Sequence, residues 1–272
     1  MPNWVRNHLK IKGKRAQEVF KDLLTKDKGG NLCFDFNKII PMPESLNIIC
    51  GTETDHCMEI YLTSVNPAVD YFGDKKLDRA EFLSILEKVN SNKRARHPSI
   101  TTLSLEEIHQ ISKNISLRYG FSEENKHATL PEILEYGKQA IDNILTYGYR
   151  DWYDWRCAHW GTKWNACSTQ IPGPGIAEVY FDTAWSPVNH LILELAARNP
   201  DCRFNYEFAE EQAGYFAGRL EYESGVEIKQ EVYTAGSKKC YEKYFELWGE
   251  DPHFQFDSKT QTYKYIEEEM IE

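Results

Sequence analysis

The sequence predicts an α+β protein built on an antiparallel or mixed sheet, with helices on one face and a helical subdomain inserted into the chain. Two observations carry that expectation. Segments of alternating hydrophobicity at the start and in the last third flank a block of helical periodicity instead of interleaving with it, which disfavours a doubly wound parallel sheet. Within that block, three hydroxyl or carboxylate capping signatures each precede an apolar stripe at helical spacing.

In chain order, Asn3 to Gly13 alternates around Trp4, His8, Lys10 and Ile11 and reads as a first strand. Arg15 to Lys26 sets Val19, Phe20, Leu23 and Leu24 on one helical stripe, ended by Gly29-Gly30. Cys33 to Ile40 alternates through Phe34 and Phe36 until Pro41, giving a second strand. From about Pro67 the period becomes helical. Asp78 with Glu81, Ser104 with Glu107, and Thr129 with Glu132 open three helices, the second closed by Gly120. The basic run Lys93 to His97 lies between the first two and reads as a solvated loop.

After Gly161 the alternation returns, in Lys163 to Ile171 and Ile176 to Asp182 across a Pro-Gly-Pro-Gly turn. Ser186-Pro187 reads as a capped helix start leading through Leu191, Ile192, Leu195 and Ala196. Arg203 to Glu210, Tyr215 to Glu223 and Val226 to Val232 are three further strands. The tail adds a short helix near Cys240 to Trp248, an alternating stretch from Phe254 to Tyr265 and the acidic run Glu267 to Glu269. The expected organisation is a discontinuous sheet domain from 1–66 and 161–235, a helical insertion at 67–160 and a C-terminal extension at 236–272.

Composition narrows the function classes. The chain has 272 residues, 41% apolar and 13% aromatic, enough for a sizeable core. A net charge of −10 works against attraction to polyanions, so nucleic acid is not a favoured partner. No apolar run approaches the roughly 20 residues of a membrane span, and Met1 to Gly13 lacks a signal-peptide core, so a cytoplasmic location without a membrane partner is expected. Seven scattered cysteines suit free thiols. Neither Cys50 and Cys57 around His56 nor Cys157 beside His159 has metal-site spacing, so no metal or cofactor is expected.

The most unusual stretch, Asp151 to Trp164, holds four of the seven tryptophans. On a helix, Trp152, Trp155 and His159 share a face, and Arg156 neighbours Trp152 and Trp160. With Lys163 and Trp164 they could form an aromatic platform for a planar or anionic ligand, or an architectural joint that buries large indole areas. A second candidate is the strand-to-helix passage Phe181 to Pro187, with Asp182, Trp185 and Ser186, where helix amides could hold an anion that Asp182 would repel. The row Arg219, Glu221 and Glu223 reads as the wet face of a strand before it reads as acid–base machinery. No nucleophile elbow, zincin or phosphate-loop motif occurs.

Four ordered segments carry a resemblance: Met1 to Asn7, Ile39 to Glu44, Trp160 to Ala166, and Phe181 to Pro187. Together they resemble the YubB-type ferredoxin-like family of phage and plasmid proteins, although Val5 stands where that family usually has cysteine. The resemblance implies a ferredoxin-like βαβ–βαβ topology and an origin in a mobile element, and supplies no catalytic residues. The resulting expectation is a non-enzymatic accessory protein that binds a host or phage macromolecule. Two alternatives stay open: a small-ligand binder or enzyme using a cleft between insertion and sheet, lined by Trp155, His159, Trp160, Lys163 and Trp185, and nucleic-acid binding or mimicry.

Overall fold

The computed structural model describes residues 2–72, 76–92, 102–115 and 128–266. Its strands and helices are, in chain order, β1 (Trp4–Lys12), α1 (Ala16–Asp22), β2 (Leu24–Lys26), β3 (Leu32–Phe34), α2 (Thr52–Val65), α3 (Arg79–Ser91), α4 (Leu105–Asn114), α5 (Leu130–Tyr147), α6 (Trp152–His159), β4 (Cys167–Gln170), β5 (Glu178–Ala184), α7 (Asn189–Arg198), β6 (Arg203–Glu210), β7 (Ala217–Glu223), β8 (Val226–Val232), α8 (Lys238–Trp248), β9 (Phe254–Asp257) and β10 (Thr262–Tyr265). The chain divides into two compact units, Met1–Pro41 with Arg156–Glu272, and Met42–Trp155.

The first unit is organised by a six-stranded sheet in the order β4-β5-β1-β6-β7-β8. Each neighbouring pair is antiparallel. Because β5 and β6 both run against β1, they are parallel to each other with β1 between them and α7 connecting them. By the same reasoning β1 and β4 are parallel across β5. This is the split β-α-β arrangement of a ferredoxin-like fold, made from β1, α1, β4, β5, α7 and β6. The β7–β8 meander widens it.

The fold class is therefore α+β and ferredoxin-like, but its second strand is not where the alternation of Cys33 to Ile40 placed it. Only Leu32–Phe34 is extended, and it pairs with β2 in a separate hairpin. At Asp35 the carboxylate accepts a hydrogen bond from the Asn37 amide at 3.0 Å, which turns the chain into a 3-10 turn at Phe36–Lys38. β4, reached only after the second unit, takes the strand position. The first helix also stops at Asp22, and Leu24 to Lys26 joins the hairpin.

Alternation along the strands divides the sheet into two unlike faces. One is apolar and carries Val5, Leu9, Val179, Phe181, Phe204, Tyr206, Phe208, Leu220 and Tyr222, all buried. Each fully covered aromatic or aliphatic side chain there contributes about 1.5–3 kcal/mol. α7 lies on this face, where the Tyr206 hydroxyl accepts from the Val188 amide at 2.9 Å. α8 covers the opposite face, with Cys240 and Leu247 packed on Ala209 and Ala217. The C-terminal extension thus adds a helix on the side that α7 leaves open.

The second unit is helical. α2 and α5 cross closely at Gly137, where a Cβ would lie 2.1 Å from the Cys57 carbonyl oxygen. Met58, Leu62 and Val65 pack with Ala140, Ile141 and Ile144, while Cys57 and Ile60 pack with Ile108 and Ile133. The expected caps form: Asp78 accepts from the Ala80 and Glu81 amides, Glu107 accepts from the Ser104 amide, and Glu132 from that of Thr129. α2 precedes the expected Pro67 boundary, so the division falls at Pro41 instead. Arg150 pairs with Asp55 and, at 2.9 Å, with Asp151.

Gly120, Lys93 to His97 and Glu267 to Glu269 lie outside the described residues. Among those described, no helix is long and apolar enough to cross a membrane. All seven cysteines are free thiols, and burial pushes that of Cys57 up to about 12.

Candidate functional site

Two short segments of the first unit meet beside the start of β1. Gly161, with φ 81°, turns the chain after α6, and Thr162-Lys163-Trp164 follows. The second segment is the end of β5 with Trp185 and Ser186. Two hydrogen bonds pin them together: the buried Thr162 hydroxyl donates to the Ala184 carbonyl at 2.9 Å, and the Ser186 hydroxyl donates to the Gly161 carbonyl. The Trp185 amide donates to the Asn3 carbonyl at 2.8 Å, which extends the β1–β5 register Trp4↔Ala184 by one residue.

This pinning places the Lys163 ammonium between two indoles, 3.9 Å from the Trp164 ring centre and 3.8 Å from that of Trp185. Both contacts lie well within cation–π range. Trp4 extends the group, its ring centre 5.8 Å from that of Trp164. Trp185 is 49% exposed and holds a left-handed backbone conformation, φ 72°. For a residue with a Cβ that conformation costs roughly 1–2 kcal/mol. An exposed indole gains too little from burial to explain that strain, and strain of this kind collects at functional sites.

The remaining candidates separate into architecture and surface. Trp155 and Trp160 are buried. The Trp160 indole nitrogen donates to the Ile40 carbonyl at 2.9 Å, and its ring meets Phe36 edge-on at 5.7 Å. Arg156 lies over the Trp160 ring at 5.0 Å. Trp152 packs against Tyr153, and His159 is half-buried on the same helix. The tryptophan-rich stretch is thus not one platform, since Trp160 closes the core and Lys163 with Trp164 turns to the surface.

Ser186 does not cap the following helix, because its hydroxyl is held by Gly161 and α7 begins later, after Val188. The amide of Val188 is taken by Tyr206, whose own hydroxyl donates to the Asn7 side chain at 2.5 Å. Asn7 in turn donates to the Val5 carbonyl at 2.8 Å and the Thr183 hydroxyl oxygen at 2.9 Å. Two of the resembling motifs are therefore tied by one buried polar network.

Asp182 belongs to the α8 face, where it pairs with Arg6 at 3.0 Å while the Arg6 guanidinium lies 4.2 Å over the Trp248 ring. On the same face His8 stacks on Tyr180 at 4.2 Å and touches Glu178 at 2.8 Å and Glu207 at 3.3 Å. Lys243 of α8 reaches Glu207 at 2.6 Å. The hydrogen bond from His8, against the opposing effect of burial and with help from Lys243, holds the Glu207 carboxyl down at about 2. Burial raises Glu178, but the hydrogen bonds of Lys10 and His8 outweigh it and leave the carboxyl lowered. Both groups stay ionised, which suits a structural charge network better than a general acid.

Arg203 binds Glu221 at 2.6 Å, and Arg219 binds Glu231 at 2.5 Å, so the carboxylates of the late strands are held in cross-strand ion pairs. Sequence reasoning missed Arg6, Glu178, Glu207, Lys243 and Trp248 as a group. Their one local signal is the alternation Trp4, Arg6, His8, Lys10; the rest depends on register. Among the described residues, no group of three or more His, Cys, Asp or Glu could hold a metal ion.

A split β-α-β sheet, with the exposed Trp185 indole beside Lys163 at one end of it, defines a ferredoxin-like α+β protein. Residues 159–264, less than half of the chain, match the model of a family described as a ferredoxin-like domain in Api92-like protein. That match runs through α8, β9 and β10, beyond the expected end of the sheet domain. A solved structure, a protein api92 from Yersinia pseudotuberculosis, is similar at 13% identity over 87% of this chain and 99% of that one, with a TM-score of 0.39. No curated protein matches.

Proposed function

We propose that this chain is a non-enzymatic accessory protein of a phage, plasmid or integrated element, acting by binding a protein partner through Trp185, Lys163 and Trp164. The observation that carries the reading is Trp185 itself, an exposed indole held in a strained left-handed conformation. Large aromatic side chains of this kind are frequent anchors of protein interfaces. The net charge of −10 favours a protein over a polyanion as the partner. The mobile-element origin rests on the resemblance of the four sequence motifs.

The test is capture from lysate of a phage-infected or plasmid-bearing host, with wild type beside Trp185→Ala and Lys163→Ala. A protein retained by wild type and lost in both variants supports the reading. Equal retention by all three, retention of nucleic acid alone, or no retention overturns it.

A further inference from the structure

β8 closes one side of the six-stranded sheet, and among the described residues no strand pairs with its outer edge. Its side chains Val226, Ile228 and Val232 are 57%, 46% and 50% exposed. Unpaired edges with exposed β-branched residues are templates for further strand pairing. The Tyr233 amide donates to the Ala217 carbonyl at 2.9 Å, and the register continues Gly218↔Val232, Arg219↔Glu231, Leu220↔Gln230, Glu221↔Lys229. Bonded and non-bonded pairs alternate in an antiparallel ladder, so Glu231 and Lys229 direct their peptide groups to β7. Gln230 and Val232 direct theirs outward. Ile228 lies at the register shift that follows, between the pairs Glu221↔Lys229 and Tyr222↔Glu227.

We infer that β8 pairs antiparallel with β8 of a second copy of this chain, about a two-fold axis at Gln230, joining two sheets into one. Sequence complementarity selects this partner and this register. With the axis at Gln230, Lys229 faces the partner's Glu231 twice over, and Ile228 faces the partner's Val232. The outward peptide groups of Gln230 then meet their own equivalents in a bonded pair. Moving the axis to Lys229 sets Lys229 against its equivalent and Glu227 against the partner's Glu231, which repel. Moving it to Ile228 leaves Val232 without an apolar partner. Charges that would guard this edge against an arbitrary strand fit a second copy of it.

Glu231 is already gathered by Arg219 at 2.5 Å, with Lys229 3.6 Å away, so the carboxylate is in place before a partner arrives. The contact is one strand wide, so a concentration-dependent dimer is expected. This inference shares no residue with the tryptophan face and stands independently of it.

Sedimentation equilibrium of the full chain between about 1 μM and 1 mM tests it. Wild type should rise from monomer to dimer mass. Lys229→Glu and Glu231→Lys should each stay monomeric, because each sets like charges opposite one another. An equimolar mixture of those two variants should recover the dimer, since every Glu then faces a Lys, and the double exchange K229E/E231K should dimerise alone. Recovery in the mixture also shows that the single variants are folded. Wild type remaining monomeric, single variants that dimerise as wild type does, or a mixture and double exchange that both stay monomeric overturns the inference.

Discussion

Trp160 and Trp185 sit on segments joined by two hydrogen bonds, yet their surroundings differ completely. Trp160 is fully buried, its ring against Phe36 and its indole nitrogen bonded to Ile40. Trp185 is half in solvent, on strained backbone, against one lysine. The contrast teaches that the same residue type, in motifs of the same resemblance, serves stability at one position and presentation at the other. The sheet makes a similar distinction, with an apolar α7 face and a charged α8 face.

Four substitutions or titrations test that contrast, and the largest effect belongs to the core. Trp160→Ala removes a fully buried indole and should cost about 3–5 kcal/mol in urea unfolding; a loss under about 1 kcal/mol would show that Trp160 is not the closing residue described. Next comes acid titration. The Glu207 carboxyl is depressed from 4.5 to about 2. Its contribution is therefore complete above pH ~4.5 and lost as pH falls toward ~2, on the order of 2–3 kcal/mol. Unfolding free energy measured across that window should fall in wild type and fall less steeply in Glu207→Gln.

Thr162→Val sharpens the comparison at the joint itself. It leaves the Ala184 carbonyl without the Thr162 hydroxyl and should cost about 1–2 kcal/mol. It should also weaken partner capture, because Lys163 is no longer held against Trp185. Full capture by a destabilised Thr162→Val would detach the pinning from function.

Much of the sheet was legible because β6 and β7 alternate cleanly and β6, β7 and β8 pair in the order in which they follow one another. α2 was not. Thr54, Asp55, Glu59 and Thr63 are buried alongside Cys57, Met58, Ile60 and Leu62, so no wet face imposes a helical period. The stretch after Cys33 looked extended because it alternates, but Asp35 bonds its own chain and turns it. At the site, Lys163, Trp164 and Trp185 were visible as unusual residues. Their meeting with Trp4, and the group around Arg6, Glu207, Lys243 and Trp248, depended on strand register and on α8 returning to the sheet.

The smallest expected effect is the most informative. Trp185→Gly deletes the exposed indole and its contact with Lys163, worth about 0.5–1 kcal/mol, while relieving about 1–2 kcal/mol of left-handed strain. Urea unfolding of this variant beside wild type should give stabilities within about 1 kcal/mol of each other. A loss of 2 kcal/mol or more would make Trp185 a structural residue like Trp160 and contradict its role as a presented contact.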